Sequence, residues 1–120
     1  MKYKALSLKQ PIANWVMEGR KTIETRKWTT QYRGDIVICS SQHPHIQPAG
    51  CALGVVELYH IEPMKREHEK RACVKKYTRA NSWFIRNVRR FQRPIPVKGR
   101  LGLFDLELKS AELEKIRLEA

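Results

Sequence analysis

The apolar positions of this chain fall mostly into short strand-like runs, with one stretch at helical spacing near the start. Residues 3–8 (YKALSL) alternate loosely and read as a first strand. Pro11 then fits a first helical turn, where a missing N–H costs nothing, and Gly19 suits the position just past that helix's end. Between them Ile12, Trp15 and Val16 recur at helical spacing and are expected to face the core. Residues 21–28 (KTIETRKW) carry β-branched and aromatic side chains and predict a strand. After the turn signal Arg33-Gly34, the apolar run 35–39 (DIVIC) predicts a buried strand, and the Pro- and Gly-containing stretch 41–50 a loop. Residues 51–61 (CALGVVELYHI) are β-rich and apolar on both alternating faces, with Gly54 marking a bulge or a close approach.

The second half is less regular. Pro63 predicts a helix running to about residue 79 with a mostly charged surface, followed by strands at 82–86 and 101–108. Ser110 caps an expected terminal helix whose Glu112 and Glu114 lie near its positive end. Five or six strands in so short a chain, with a helix after the first, predict an α+β, mainly β fold: a small closed or nearly closed barrel with peripheral helices, formed as a single domain over 1–120.

Charge adds a functional direction. The 120 residues hold 24 Lys and Arg against 12 Asp and Glu, a formal net charge of +12. Residues 1–62 contribute +3, residues 63–100 contribute +11, and residues 101–120 contribute −2. A local excess of that size repels itself and attracts polyanions. Tyr77, Trp83, Phe84 and Phe91 are interleaved with its arginines, which suits base stacking beside phosphate contact, and equally suits strand residues that fill a core. No apolar run approaches the roughly 20 residues of a membrane span. The broken apolar N-terminus does not read as a secretory signal, so a cytoplasmic protein without a membrane partner is expected. Three widely spaced cysteines fit reduced thiols better than a disulfide framework. Cys39, His43, His45 and Cys51 are zinc-accepting types, but their spacing matches no paired-ligand knuckle; no metal or other cofactor is expected.

The most informative segment is 6–34, LSLKQPIANWVMEGRKTIETRKWTTQYRG. On a strand through Thr22–Trp28, side chains alternate, so Thr22, Glu24, Arg26 and Trp28 share one face, and Thr25 turns to the other. Glu24 and Arg26 are placed to pair, orienting the guanidinium toward a phosphate or carbonyl oxygen, while Trp28 can stack a base. The competing structural reading is an ion pair that pins the barrel edge, with Trp28 as core. The ordered matches Gly19-x-Lys21-x-x-Glu24-x-Arg26, Leu6-Ser7-Leu8-x-Gln10-Pro11, Trp28, Arg33-Gly34, Trp83 and 94–102 (PIPVKGRLG) resemble the ASCH family, the activating signal cointegrator homology domains with a PUA-like barrel.

That resemblance implies a PUA-like fold and a cleft for a nucleic acid or nucleotide. On it, the expected function is binding of RNA, single-stranded by preference, or of a nucleotide, with DNA as a further candidate. Lys21, Arg26 and Arg33 would meet phosphate or base oxygens, Glu24 would orient Arg26 or accept from an exocyclic amine, and Trp28 would stack. Arg86, Arg89, Arg90, Arg93, Lys98 and Arg100 would track the strand backbone. The resemblance also implies an alternative, a small hydrolase similar to bacterial N4-acetylcytidine amidohydrolases, or a ribonuclease. There Lys21 falls on the family's lysine, but Glu24 stands where a threonine is expected, and the later acid falls near Glu67 or Glu69 without the spacing deciding which. In such an enzyme Lys21 and Glu24 would be the catalytic pair, Glu24 activating water and Lys21 stabilising an oxyanion. His43, His45, His60 and His68 are the candidate general acids or bases for RNA cleavage. A protein-interaction module is the remaining alternative.

Overall fold

The computed structural model describes residues 1–109, so the expected helix from Ser110 lies outside the described residues. The chain runs β1 (Lys2–Leu8), α1 (Ile12–Met17), β2 (Ile23–Arg26), β3 (Gly34–Ser40), β4 (Cys51–Pro63), a 3-10 turn (Arg66–His68), α2 (Glu69–Ala72), β5 (Asn81–Pro96) and β6 (Leu103–Glu107). The six strands form one sheet in the order β2-β5-β4-β3-β1-β6. Among the described residues only β1 and β3 pair in parallel; the other ladders are antiparallel. None of the helices among the described residues is long and apolar enough to cross a membrane.

The sheet is strongly curled. In a flat sheet β2 and β1 would lie four strand spacings apart, roughly 19 Å. Instead the Arg26 guanidinium, on edge strand β2, donates from Nη2 to Ser7 O on β1 at 3.3 Å. The barrel therefore draws together on this side through a side chain, where no β2–β1 ladder is formed.

Alternation explains how the central strands are buried on both faces. Leu6, Leu8, Ile36, Ile38, Val56 and Trp83 pack with Val16 and Met17 of α1 in one cluster. The intervening Ala5, Val37, Cys39 and Val55 join Phe91, Ile95, Phe104 and Leu106 in another. Ile23, Met64, Ala72, Ala80 and Phe84 form a third cluster beneath α2. Gly54 has the role its position suggests: the β4–β5 register shifts beside it, and a Cβ there would stand 2.4 Å from Arg89 O.

Three expectations change. The helix expected over 63–79 is reduced to the turn at Arg66–His68 and the single turn of α2. Pro63 ends β4, paired with Asn81, and the weak apolar periodicity after it leaves 73–80 as loop. The strand expected at 82–86 runs on to Pro96, because Phe91 and Ile95 face the core while Arg90, Gln92 and Arg93 face outward. His60, one of the candidate general acids or bases, is exposed on β4 just past a register shift between Leu58 and His60. Trp83, Phe84 and Phe91 are all buried, which removes them as base-stacking residues.

Candidate functional site: a buried lysine–glutamate–arginine cluster

The site is built where α1 hands over to β2. Gln10 Oε1 accepts from Asn14 N at 3.0 Å, satisfying one of the free amides at the start of α1. At the other end Gly19 adopts φ +75°, the left-handed position that glycine takes at little cost, and Arg20 N and Lys21 N both donate to Trp15 O. The chain then turns into β2. Thr22 N donates to Arg71 O at 2.9 Å, and Arg71 Nε donates to Thr22 Oγ1 at 2.9 Å, so α2 is fastened against the residue that leads into β2.

This fastening buries Lys21, which is only 4% exposed. Its Nζ donates to Ala72 O, the last carbonyl of α2, and lies 3.5 Å from Glu24 Oε1. Glu24, 8% exposed, receives Arg26 through Oε2, at 3.0 Å from Nε and 2.9 Å from Nη2. One carboxylate thus stands between the buried Lys21 and the half-buried Arg26, and the cluster keeps a net positive charge. Burying an uncompensated charge is costly, so an anionic occupant would complete the balance.

A cavity of about 510 Å³ opens directly on this cluster. Lys21, Glu24 and Arg26 line it together with Ser7, Leu8, Ile12, Trp15, Tyr77 and Arg100. Its size lies within the range of small-ligand sites, roughly 300–1,000 Å³. Ile12 and Trp15, expected in the core, are half-buried and form its wall, while Ala13, Val16 and Met17 take the core-facing side of α1. Thr25 also lines the cavity, although alternation turns it away from Glu24. The reason is that β2 is a short edge strand, so the cavity wraps its free edge and meets residues from both faces. Thr25 Oγ1 accepts from Tyr77 Oη at 3.0 Å.

The other residues singled out from sequence are spread more widely. Trp28 lies just beyond β2, 37% exposed and edge-on to Trp83 at 4.9 Å between ring centroids, with the Arg26 guanidinium 6.0 Å from its ring. Arg33 folds onto its own loop, donating to Thr30 O and Tyr32 O. On β5, Arg86 pairs with Glu57 through Nε and Nη2, both at 3.2 Å, and lies over Tyr59. Arg89 grips Asp35 with two hydrogen bonds, and Arg90 donates twice to Met17 O. Arg93, Lys98 and Arg100 are exposed, and of these Arg100 borders the cavity.

Glu67 and Glu69 do not line the cavity: Glu67 is exposed, and Glu69 accepts from Lys76 N at 2.7 Å. His68 is buried, its Nδ1 accepting from Lys65 N and lying 2.9 Å from Ser82 Oγ. Cys39 is a core residue whose thiol pKa is pushed up to about 12 by burial and by Cys51 nearby. No three His, Cys, Asp or Glu side chains converge as a metal site among the described residues. Sequence reasoning did not place Tyr77, Trp15 or Ile12 at the cavity; they come from α1 and from the loop after α2, and no local pattern joins them.

The curled sheet and the buried GxKxxExR cluster define a member of a known class. The sequence pattern of the ASCH domain matches residues 6–95, and the chain belongs to that family. It is 25% identical over 129 aligned positions to mouse activating signal cointegrator 1, an alignment covering 87% of this chain and 22% of that protein. The chain therefore spans about a fifth of that relative's length. Among solved structures, the ASCH protein of Zymomonas mobilis superposes with a TM-score of 0.67 at 17% identity, covering 94% of this chain and 92% of that one. A tyrosine-to-phenylalanine mutant of the same Zymomonas mobilis protein gives the same score and identity over 96% of both chains. These likenesses show the fold.

Proposed function

We propose that this domain binds single-stranded RNA and seats one nucleotide in the cavity above Lys21, Glu24 and Arg26. The observation that carries the reading is the cluster of a buried lysine and a half-buried arginine on one buried carboxylate, at the floor of a nucleotide-sized cavity. Glu24 and Ser7 O hold Nε and Nη2 of Arg26, which leaves Nη1 for a phosphate or base oxygen. Trp15 and Tyr77 offer aromatic surface at the wall, and Arg100 stands at the rim for a neighbouring phosphate. Trp28 and Arg33, outside the cavity lining, would meet flanking nucleotides, as would Arg93 and Lys98.

The test is titration of short single-stranded RNA and of nucleoside monophosphates into the full chain at several salt concentrations. Affinity for RNA is expected to fall as salt rises, and Arg26→Ala is expected to weaken both ligands. RNA affinity that does not respond to salt would refute phosphate contact.

A second reading, a hydrolase acting on a modified nucleoside or on RNA, is favoured by one arrangement. Thr25 brings a hydroxyl to the same cavity as Lys21 and Glu24, and Tyr77 Oη donates to it. In that case Lys21 would stabilise an oxyanion and Glu24 would activate water or the hydroxyl. Mass spectrometry of a panel of modified nucleosides and short RNAs separates the two readings. Unchanged ligands support the binder, and a deacylated nucleoside or cleaved strand supports the enzyme.

A further inference from the structure

A second and larger hollow, of about 850 Å³, lies beside the cluster cavity and shares Tyr77 with it as a common wall. It is formed by the loop after α2 and the turn before it, outside the GxKxxExR segment. Four cations line it, Arg66, Lys75, Lys76 and Arg79, against one carboxylate, Glu69. That carboxylate already accepts from the Lys76 backbone amide. All four cationic side chains are exposed, and no carboxylate among the described residues lies within ion-pair distance of any of them. This is the opposite of β5, where Arg86 and Arg89 are held by Glu57 and Asp35.

We infer that this hollow is the strand-tracking site, and that an RNA chain runs along it, passes Tyr77, and delivers one nucleotide to the cluster cavity. The inference rests on the RNA-binding reading above and assigns the backbone contacts within it. Unpaired, solvated cations release counterions on meeting phosphates, whereas arginines already paired to carboxylates must first give up those partners. The hollow is open and wide, as a sequence-tolerant backbone track requires, and an aromatic ring stands where it adjoins the cluster cavity. Tyr77 is half-buried and fixed through its hydroxyl to Thr25, so its ring is positioned in advance to separate the tracked strand from the seated nucleotide.

The experiment compares wild type with Lys75→Glu/Lys76→Glu, binding a single-stranded oligouridine of about a dozen nucleotides and, separately, uridine monophosphate. Both lysines are exposed loop residues, and Arg66→Glu on the neighbouring turn provides an independent variant. The oligomer is expected to bind about tenfold or more weakly to the double variant, with the slope of log affinity on log salt flatter by about 1.4, the share of two single-strand phosphate contacts. Uridine monophosphate, which needs only the cluster cavity, is expected to bind as to wild type. Arg66→Glu should act in the same direction as the lysine pair. Undiminished oligomer binding by both variants, with loss in Arg93→Glu/Lys98→Glu instead, would move the track to the end of β5 and the segment after it and overturn the inference while leaving the RNA reading intact. Failure of wild type to bind either ligand would overturn the RNA reading, and this inference with it.

Discussion

Two stretches of this chain are equally basic to the eye and end in opposite states. Arg86, Arg89 and Arg90 lie on β5, which runs through the sheet between β2 and β4. The antiparallel register sets Arg86 directly opposite Glu57, and Glu57 in turn opposite Asp35 on β3, which Arg89 reaches. Arg66, Lys75, Lys76 and Arg79 lie on a turn and a loop, off the strands, so no ladder among the described residues brings an acid to them. The acids that quiet β5 come from the nearly balanced first half of the chain. Charge counted along a sequence is therefore gross charge, and the part available to a partner is what remains after the fold has matched cations to carboxylates.

That contrast can be broken or sharpened in several ways. The largest effect is expected at a third kind of charged environment, the buried cluster. Glu24→Ala leaves the buried Lys21 ammonium, and the half-buried Arg26 guanidinium beside it, without their shared counter-charge and is expected to cost about 3–5 kcal/mol, measured by denaturant unfolding. An exposed pair such as Arg86–Glu57 should show nothing comparable. Gly54→Ala comes next. Its Cβ would press against the Arg89 carbonyl and the Met17 sulfur, and a loss of about 1–3 kcal/mol is expected in the same assay.

The direct test of the comparison is Asp35→Asn/Glu57→Gln, which releases Arg89 and Arg86 from their carboxylates. Stability is expected to fall by only about 0–1 kcal/mol per pair. If pairing is what silences β5, the freed arginines should steepen the salt dependence of RNA binding by up to about 1.4 in slope. An unchanged slope would mean that their position, not their pairing, keeps them from RNA. The smallest effect concerns the thiols. Burial holds Cys39 protonated well above its ordinary value of 9.0, at about 12, so its thiolate is scarce at pH 8. Mass-mapped alkylation at that pH should label Cys73, at the cavity, well before Cys39 in the core. Early labelling of Cys39 would show that the sheet opens locally.

Much of the fold was legible because its signals are local. The apolar run DIVIC, the helix stop at Gly19 and the glycine at position 54 each report on a few neighbouring residues, and each lies where alternation or backbone freedom requires. The length of β5 was hidden because its outer positions are polar and only its pairing with β4 makes it a strand. Pro63 was misleading for the same reason: a proline that can open a helix can also close a strand, and its ladder partner Asn81 decides. At the site, the i, i+2 spacing of Glu24 and Arg26 foretold their ion pair. Thr25 at the same cavity was not foretold, because alternation assigns faces and says nothing about a cavity that wraps an edge.

The sequence by itself determined the family, the mainly β fold, the Lys21–Glu24–Arg26 grouping and an overall excess of positive charge. The family is recognised from ordered motif matches, and the rest follows from short-range spacing and from composition, which do not depend on how distant segments meet. Only the tertiary structure decided which cations are spent and which are free, that Lys21 is buried against the end of α2, and that Tyr77 stands between two hollows. Those facts depend on contacts between residues some thirty to more than fifty positions apart in the chain. Electrostatic and hydrogen-bond energies act over a few ångströms of space, and the fold alone sets which residues come that near.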